Sequence, residues 1–290
     1  MSRSTIRPLL LATAFALAGC GGGGGYGVAS APPPPVTPTP TPTPAGPPPI
    51  ILGATTSQQF AVAGSTHSYA EIQAPRMDAV DQLQVRYFQS TNSYEVQLPH
   101  SEAWSGISFA TPNCGCEGYG GDTAFMWLWS KGYQYSRLID WSDKTMTDHG
   151  YEAVGLATPA GGVPVTGTAS YAGEIEGQTS EFSNGLTVYG AIQLSFDFGA
   201  GNLSGGITPY LEPADVPIHL PTIALRDTVY STGSTTFSGK FDTNAAGLNS
   251  FSGLFTGPNA QELIGNFAFP YKSPIDGQTY QSGGAFVGKK

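Results

Sequence analysis

The chain has 290 residues, of which only 11 per cent are charged, while Gly (39) and Pro (24) are abundant. That composition fits a turn-rich β protein of one large or two small domains. The net charge of −9 lacks the basic footprint a phosphate backbone requires, which excludes nucleic acid as a partner class, and no apolar run approaches the roughly 18 residues of a membrane-spanning helix.

The first element is an export signal. Arg3 and Arg7 form a basic n-region, Leu9 to Leu17 an apolar h-region, and Leu17-Ala18-Gly19-Cys20 closes it. These four residues resemble the lipobox of bacterial lipoproteins. The resemblance implies cleavage after residue 19, thioether lipidation of Cys20 and acylation of the new terminus. Processing removes two arginines and no acid, which takes the net charge from −9 to −11. Three acyl chains exceed the two signals that stable anchoring needs. Gly21 rather than aspartate follows the cysteine, so the outer membrane is the expected location, with the cell surface and the periplasmic side both open. Residues 20–52 read as a tether: Gly21 to Gly25 is a flexible run, and Pro32 to Pro49 holds 11 of the 24 prolines. In extended polyproline II at about 3.1 Å per residue that stretch reaches roughly 55 Å.

Residues 53–162 predict a strand-rich domain. Val80 to Phe88 and Tyr94 to Leu98 form a hairpin around Ser90–Ser93. A second hairpin takes Ala124 to Ser130 and Tyr133 to Trp141. Phe125, Trp127 and Trp129 lie on one face of its first strand and Met126 and Leu128 on the other, so the strand is expected to be a core strand covered on both sides; an aromatic contact surface for a partner is the alternative. Cys114 and Cys116 are one residue apart. A bridge between them closes a very tight ring, but exported chains meet oxidising conditions, which favours a bridge over free thiols. A metal wants four ligands, and the four histidines are scattered, so no metal and no cofactor is expected.

From residue 163 to 290 the alternation sharpens. Even positions from Leu186 to Phe198 are apolar and odd ones mainly polar, as in a sheet with one wet face. Thr166–Ile175, Leu186–Phe198, Leu203–Leu211, Thr222–Val229, Thr235–Asp242, Asn249–Thr256, Asn266–Tyr271 and Thr279–Gly288 give eight strands. Phe237-Ser-Gly-Lys-Phe241 and Phe251-Ser-Gly-Leu-Phe255 repeat one motif, in which glycine makes room for a bend or a crossing ring. Eight short strands with inward aromatics predict a closed antiparallel barrel with a filled interior. Between the sixth and seventh strands, Pro258 to Gly265 predicts a helical turn across one barrel end, with Leu263 and Ile264 inward.

Gly253-Leu-Phe-Thr-Gly-Pro-Asn-Ala-Gln-Glu-Leu-Ile-Gly-Asn-Phe267, then Gly283-Gly-Ala-Phe-Val-Gly-Lys-Lys290, resembles the barrel signature of the transferrin-binding protein B family of surface lipoproteins. Thr166-Gly-Thr-Ala-Ser-Tyr-Ala-Gly173 is similar to that barrel's opening strand. The resemblance implies an all-β chain in which a strand-rich handle precedes an eight-stranded antiparallel barrel, in a single lobe. Partners in the family range over transferrin, haemoglobin, haem and complement factor H. The handle half carries no motif specific to one of them, so an unknown protein or scavenged solute, possible iron or haem cargo included, is expected. A small apolar ligand held inside the barrel and a structural envelope role are the alternatives.

No nucleophile elbow, zinc-binding His-Glu-x-x-His or phosphate loop is present, so the chain reads as a binding protein and not an enzyme. Glu174 and Glu176 share one strand face and are expected to be solvated. The candidate partner loops are Leu211–Pro221 with Pro213, Asp215 and His219, Thr228–Ser234 with Tyr230, and Tyr271–Gly277 with Lys272 and Asp276.

Overall fold

The structure, a computed structural model, describes residues 50–51, 53–68, 75–110, 117–129, 132–181, 186–212 and 216–290. Cys20, Cys114, Cys116, Pro213 and Asp215, with the export signal and most of the tether, lie outside the described residues. Among the described residues two antiparallel sheets account for nearly all the regular structure, with one 3-10 turn at Ala79–Asp81.

The first sheet contains β1 (Gln58–Gln59), β2 (Ala61–Ser68), β3 (Gln84–Phe88), β4 (Ser93–Gln97), β5 (Trp104–Ala110), β6 (Glu117–Gly121), β7 (Ala124–Leu128), β8 (Ser136–Asp143) and β9 (Asp148–Gly155). Their order is β1-β3-β4-β5-β6-β7-β8-β9-β2. Only Phe60 separates β1 from β2, so one continuous run of chain pairs with β3 at its start and β9 at its end, and the sheet curls round on itself. Alternate residues such as Val85, Tyr94, Val96, Ile107, Met126 and Trp141 fill its inside.

The second sheet contains β10 (Thr168–Thr179), β11 (Leu186–Asp197), β12 (Asn202–Glu212), β13 (Ile218–His219), β14 (Ile223–Val229), β15 (Thr236–Phe241), β16 (Ser250–Thr256), β17 (Glu262–Lys272) and β18 (Thr279–Lys289). It is closed by the β11–β12 pairing, with the two-residue β13 added beside β12. The eight long strands are those the alternation predicts. Closure leaves no long free edge. The interior is aromatic and filled: Phe255 meets Phe196 at 4.8 Å and Phe237 at 5.5 Å between ring centroids, with Tyr171, Phe198 and Tyr230 around them.

The repeated Phe-Ser-Gly-x-Phe motif has a reciprocal geometry. Phe237 lies opposite Gly253, and Phe251 opposite Gly239. A Cβ on Gly253 would sit 2.4 Å from the Phe237 ring and one on Gly239 would sit 2.7 Å from Phe251. Each ring therefore crosses the glycine on the neighbouring strand. Gly253→Ala should destabilise the protein by about 1–3 kcal/mol through overpacking, measured by urea denaturation; an unchanged midpoint would show that the ring moves aside freely.

The helical turn expected over Pro258 to Gly265 is absent. The chain makes a tight turn at 257–260, and β17 has already resumed at Glu262. Two requirements override helix propensity here. Ala260 adopts φ +52°, the left-handed region, so the turn reverses within a few residues. Glu262 is needed in register opposite Thr256, because its carboxylate accepts the N–H groups of Gln134 (2.7 Å) and Tyr135 (2.9 Å) from the first sheet. Leu263 does point into the barrel. Ile264 points out, against the handle. The turn still crosses the barrel end: Ala260 is buried, and its carbonyl accepts the Tyr171 hydroxyl at 2.6 Å.

The two sheets meet along a seam. Ala63, Leu138 and Ala153 from the handle pack on Ile264, Ala285 and Val287 from the outer wall of the barrel. The Ser136 and Thr256 hydroxyls add a buried hydrogen bond of 2.7 Å.

Candidate functional site

The face of the handle sheet that meets the barrel does so only in part. Register places Phe125 opposite Gly120 on one side and Ser142 on the other, and Trp127 opposite Gly118 and Asp140. Phe125 and Trp127 thus share a face with Leu138 and Ala153, but they lie beyond the reach of the barrel. Phe125 is 43 % exposed and Trp129 37 %, while Ala124, Met126 and Leu128 are buried inside. The strand is therefore covered on one side only, which corrects the expectation of a doubly covered core strand. Sequence could not show this, because the sides of β7 are equally apolar and only the lateral extent of the barrel distinguishes them.

The open face carries a consistent chemistry. The Phe125 and Trp127 ring centroids are 6.2 Å apart with planes 30° from each other, and the Lys144 ammonium stands 5.1 Å from the Phe125 centroid. Further along the sheet the Arg86 guanidinium lies 4.0 Å over Trp104 and donates through Nε to Glu95 at 2.8 Å. Between these clusters Gly106 and Gly120 put no side chain on the surface. The resulting hollow, about 510 Å³, is lined by Ser93, Glu95, Ser108, Asp122, Phe125 and Lys144 among others. A glycine-floored hollow beside exposed rings, rimmed by charge, fits the anatomy of a contact surface: aromatic anchors at the centre and polar groups at the edge.

The candidate loops do not form one site. His219, at the end of β13, and Lys272, at the end of β17, belong with Asp276 to the barrel end where β17 passes to β18. Asp276 there accepts the Tyr280 hydroxyl (2.6 Å) and the Gln278 N–H (2.8 Å), which hold its carboxyl below the usual range. Tyr230 follows β14 at the opposite end. It is 8 % exposed and its ring packs on Phe196 and Phe198, so it plugs the barrel. The first end does present apolar side chains that the loop reading overlooked: Val216, Leu248 and Ile275 are 68, 43 and 53 % exposed.

Glu174 is exposed as expected, but Glu176 is buried at 4 %. Both point outward from β10, and the handle covers only Glu176. Burial, with Asp140 and Glu174 nearby, pushes its carboxyl up to about 8; burial pushes Asp140, across the seam on β8, up to about 6. On the same seam the His67 and His149 rings stack at 5.6 Å, and His149 Nε2–H donates to Gln178 Oε1 of β10. Burial and His149 hold His67 down at about 3.

Residues 163–290 match the family model described as the C-lobe and N-lobe beta barrels of Tf-binding protein B. No curated protein matches the chain's sequence. Among solved structures, a single-site variant of the vaccine antigen transferrin-binding protein B from Haemophilus parasuis Hp5 aligns at 17 % identity over 79 % of this chain and 44 % of that one, with a TM-score of 0.48. Transferrin-binding protein B from serogroup B Neisseria meningitidis aligns at 17 % over 79 % and 43 %, with a TM-score of 0.41. The apo haemoglobin receptor HpuA from Kingella denitrificans aligns at 14 % over 81 % and 86 %, with a TM-score of 0.43. The chain spans less than half the length of these two transferrin-binding protein B chains. The family match is confined to residues 163–290, which form a barrel similar to those of Tf-binding protein B.

Proposed function

We propose that this protein is a lipid-anchored surface receptor, held to the outer membrane through Cys20, that captures a protein partner on the open face of its handle. The observation that carries this reading is the row of exposed Phe125, half-buried Trp127 and exposed Trp129 on a sheet whose other side is buried. Large rings left in water on a rigid strand bury much area on contact at little entropic cost. The barrel interior, filled by rings in contact, supports recognition from outside over a ligand held within. Iron-carrying proteins are the first partners to test, since similar structures include transferrin-binding protein B and a haemoglobin receptor.

The test is surface plasmon resonance of the mature protein against transferrin and haemoglobin. Phe125→Ala with Trp127→Ala should weaken capture by about tenfold or more while the melting temperature stays within a few degrees of the parent. Unchanged capture in that variant, together with loss on Leu248→Ser with Ile275→Ser, would move the site to the barrel end that carries His219, Lys272 and Asp276.

A further inference from the structure

Beside the apolar seam the outer wall of the barrel turns polar. Register places Thr236, Leu254, Ile264 and Val287 in one outward row and Ser238, Ser252, Asn266 and Ala285 in the next. Ile264 and Val287 pack on the handle. Ser238, Ser252 and Asn266 instead floor a hollow of about 490 Å³, whose other wall is Met77, Ala79 and Gln82 of the handle. A second hollow of about 440 Å³ shares Met77, Ser252 and Asn266 with it, so the two adjoin. Small-molecule sites occupy roughly 300–1,000 Å³ and favour the junctions between domains. This one shares no residue with the hollow on the open face of the handle.

Two buried amides open into the first hollow. Asn266 is 6 % exposed and Gln82 8 %. Asn266 Oδ1 accepts the Ser252 hydroxyl at 2.7 Å, and Gln82 Nε2 donates to the Met77 carbonyl at 3.1 Å. The other half of each amide, the Asn266 NH2 and the Gln82 Oε1, has no hydrogen-bond partner among the described residues, and neither atom is sealed in the interior. The two together offer one donor and one acceptor, the complement of a secondary amide. The Ser231 and Ser238 hydroxyls on the same lining also have no partner among the described residues. Exposed Val229 and half-buried Leu254 add an apolar strip.

The lining sets the charge of the ligand. No charged side chain among the described residues lines this hollow. In the adjoining one Arg76 is taken up by Asp148 at 2.6 Å, and Asp81 by His100 at 2.8 Å. An ionic ligand would enter without a counter-charge, at a cost in desolvation. A peptide strand finds no edge to extend, because β15, β16 and β17 are each paired on both sides.

We propose that this hollow binds an uncharged N-acetylated amino sugar. The acetamido carbonyl accepts from the Asn266 NH2, and the acetamido N–H donates to Gln82 Oε1. The sugar hydroxyls, which both donate and accept, meet the serine hydroxyls, and the methyl group and C–H face rest on Val229 and Leu254. The sugar is either free or part of a glycan on a bound protein.

Titration of the full chain with N,N′-diacetylchitobiose, followed by calorimetry and by nitrogen-edited NMR, tests this. Saturable binding is expected, with a shift of the Asn266 side-chain NH2 signals. Cellobiose, which has hydroxyls in place of both acetamido groups, should bind at least about tenfold more weakly, because it leaves both amides unmatched. Asn266→Asp keeps the acceptor for Ser252 and removes the donor, and Gln82→Ala removes the acceptor; each should weaken binding by about tenfold or more. Ser252 is exposed on the floor of the hollow, so Ser252→Trp should block it while the melting temperature stays within a few degrees of the parent, which separates lost binding from lost fold. Tighter binding of the disaccharide when it is linked to the asparagine of a blocked peptide assigns the ligand to a glycoprotein, and tighter binding of the free disaccharide to a soluble sugar. No binding at millimolar concentration, equal affinity for cellobiose or for the blocked peptide acetyl-Gly-Gly-N-methylamide, or binding that survives Ser252→Trp would each overturn the proposal.

Discussion

Replacing Phe255 with alanine should lower the stability of the protein by about 3–5 kcal/mol, the range for removing a fully buried phenylalanine. Phe255 is 0 % exposed, and five aromatic rings surround it: Phe196, Phe198, Phe237, Tyr171 and Tyr230. Two terms add. The removed carbons lose their transfer free energy, and the void persists because the surrounding rings sit on different closed strands and cannot collapse together. Calorimetry or far-ultraviolet circular dichroism should follow the transition, because all four tryptophans (Trp104, Trp127, Trp129 and Trp141) lie in the handle. Tryptophan fluorescence then reports the handle separately. A loss below about 1 kcal/mol would mean that the barrel end has room to repack around the missing ring, and the filled interior would no longer argue against an internal ligand.

The second large effect is on the alkaline limb of the stability curve. Glu176 is raised from 4.5 to about 8 in the folded protein. Its folded-state pKa lies above its unfolded one, so the unfolded chain sheds this proton first. Stability is fully present below pH 4.5 and falls as pH rises toward 8, by about 1.4 kcal/mol per unit. Asp140, raised from 3.8 to about 6, acts in the same direction at lower pH, and so does Glu152, raised by burial inside the handle.

The histidines act oppositely. His67, lowered to about 3, and His149, lowered by burial, favour the folded state as pH rises toward 6.5. Between about pH 4.5 and 6 the two sets therefore oppose one another, and the alkaline fall stands out. Glu176→Gln should flatten it. The gap in unfolding free energy between that variant and the parent should widen by about 3–5 kcal/mol from pH 5 to pH 9, in favour of glutamine. Parallel curves in urea denaturation at the two pH values would show that the handle does not desolvate Glu176.

What was legible in the sequence is what local alternation controls. Val188, Ile192, Leu194 and Phe196 recur at even positions and all enter the core, because a two-residue period admits only one register once a face is buried. The eight barrel strands follow, and the paired Phe-Ser-Gly-x-Phe segments sit side by side with each ring over the other's glycine. What failed locally is the connection at 257–261. Its helix propensity is a few tenths of a kcal/mol per residue, too little against the register that Glu262 must hold for Gln134 and Tyr135.

The amino-acid sequence by itself determined that the last 128 residues, 163–290, close into a barrel with an aromatic lining, since inward and outward residues are distinguished strand by strand. Only the tertiary structure decided the fate of the outward ones. Glu176 and Phe125 both point away from the core of their own sheet, yet the first is buried and the second left in water. The difference is where the handle and barrel walls touch, and contact between residues so distant along the chain leaves no period for a sequence to display.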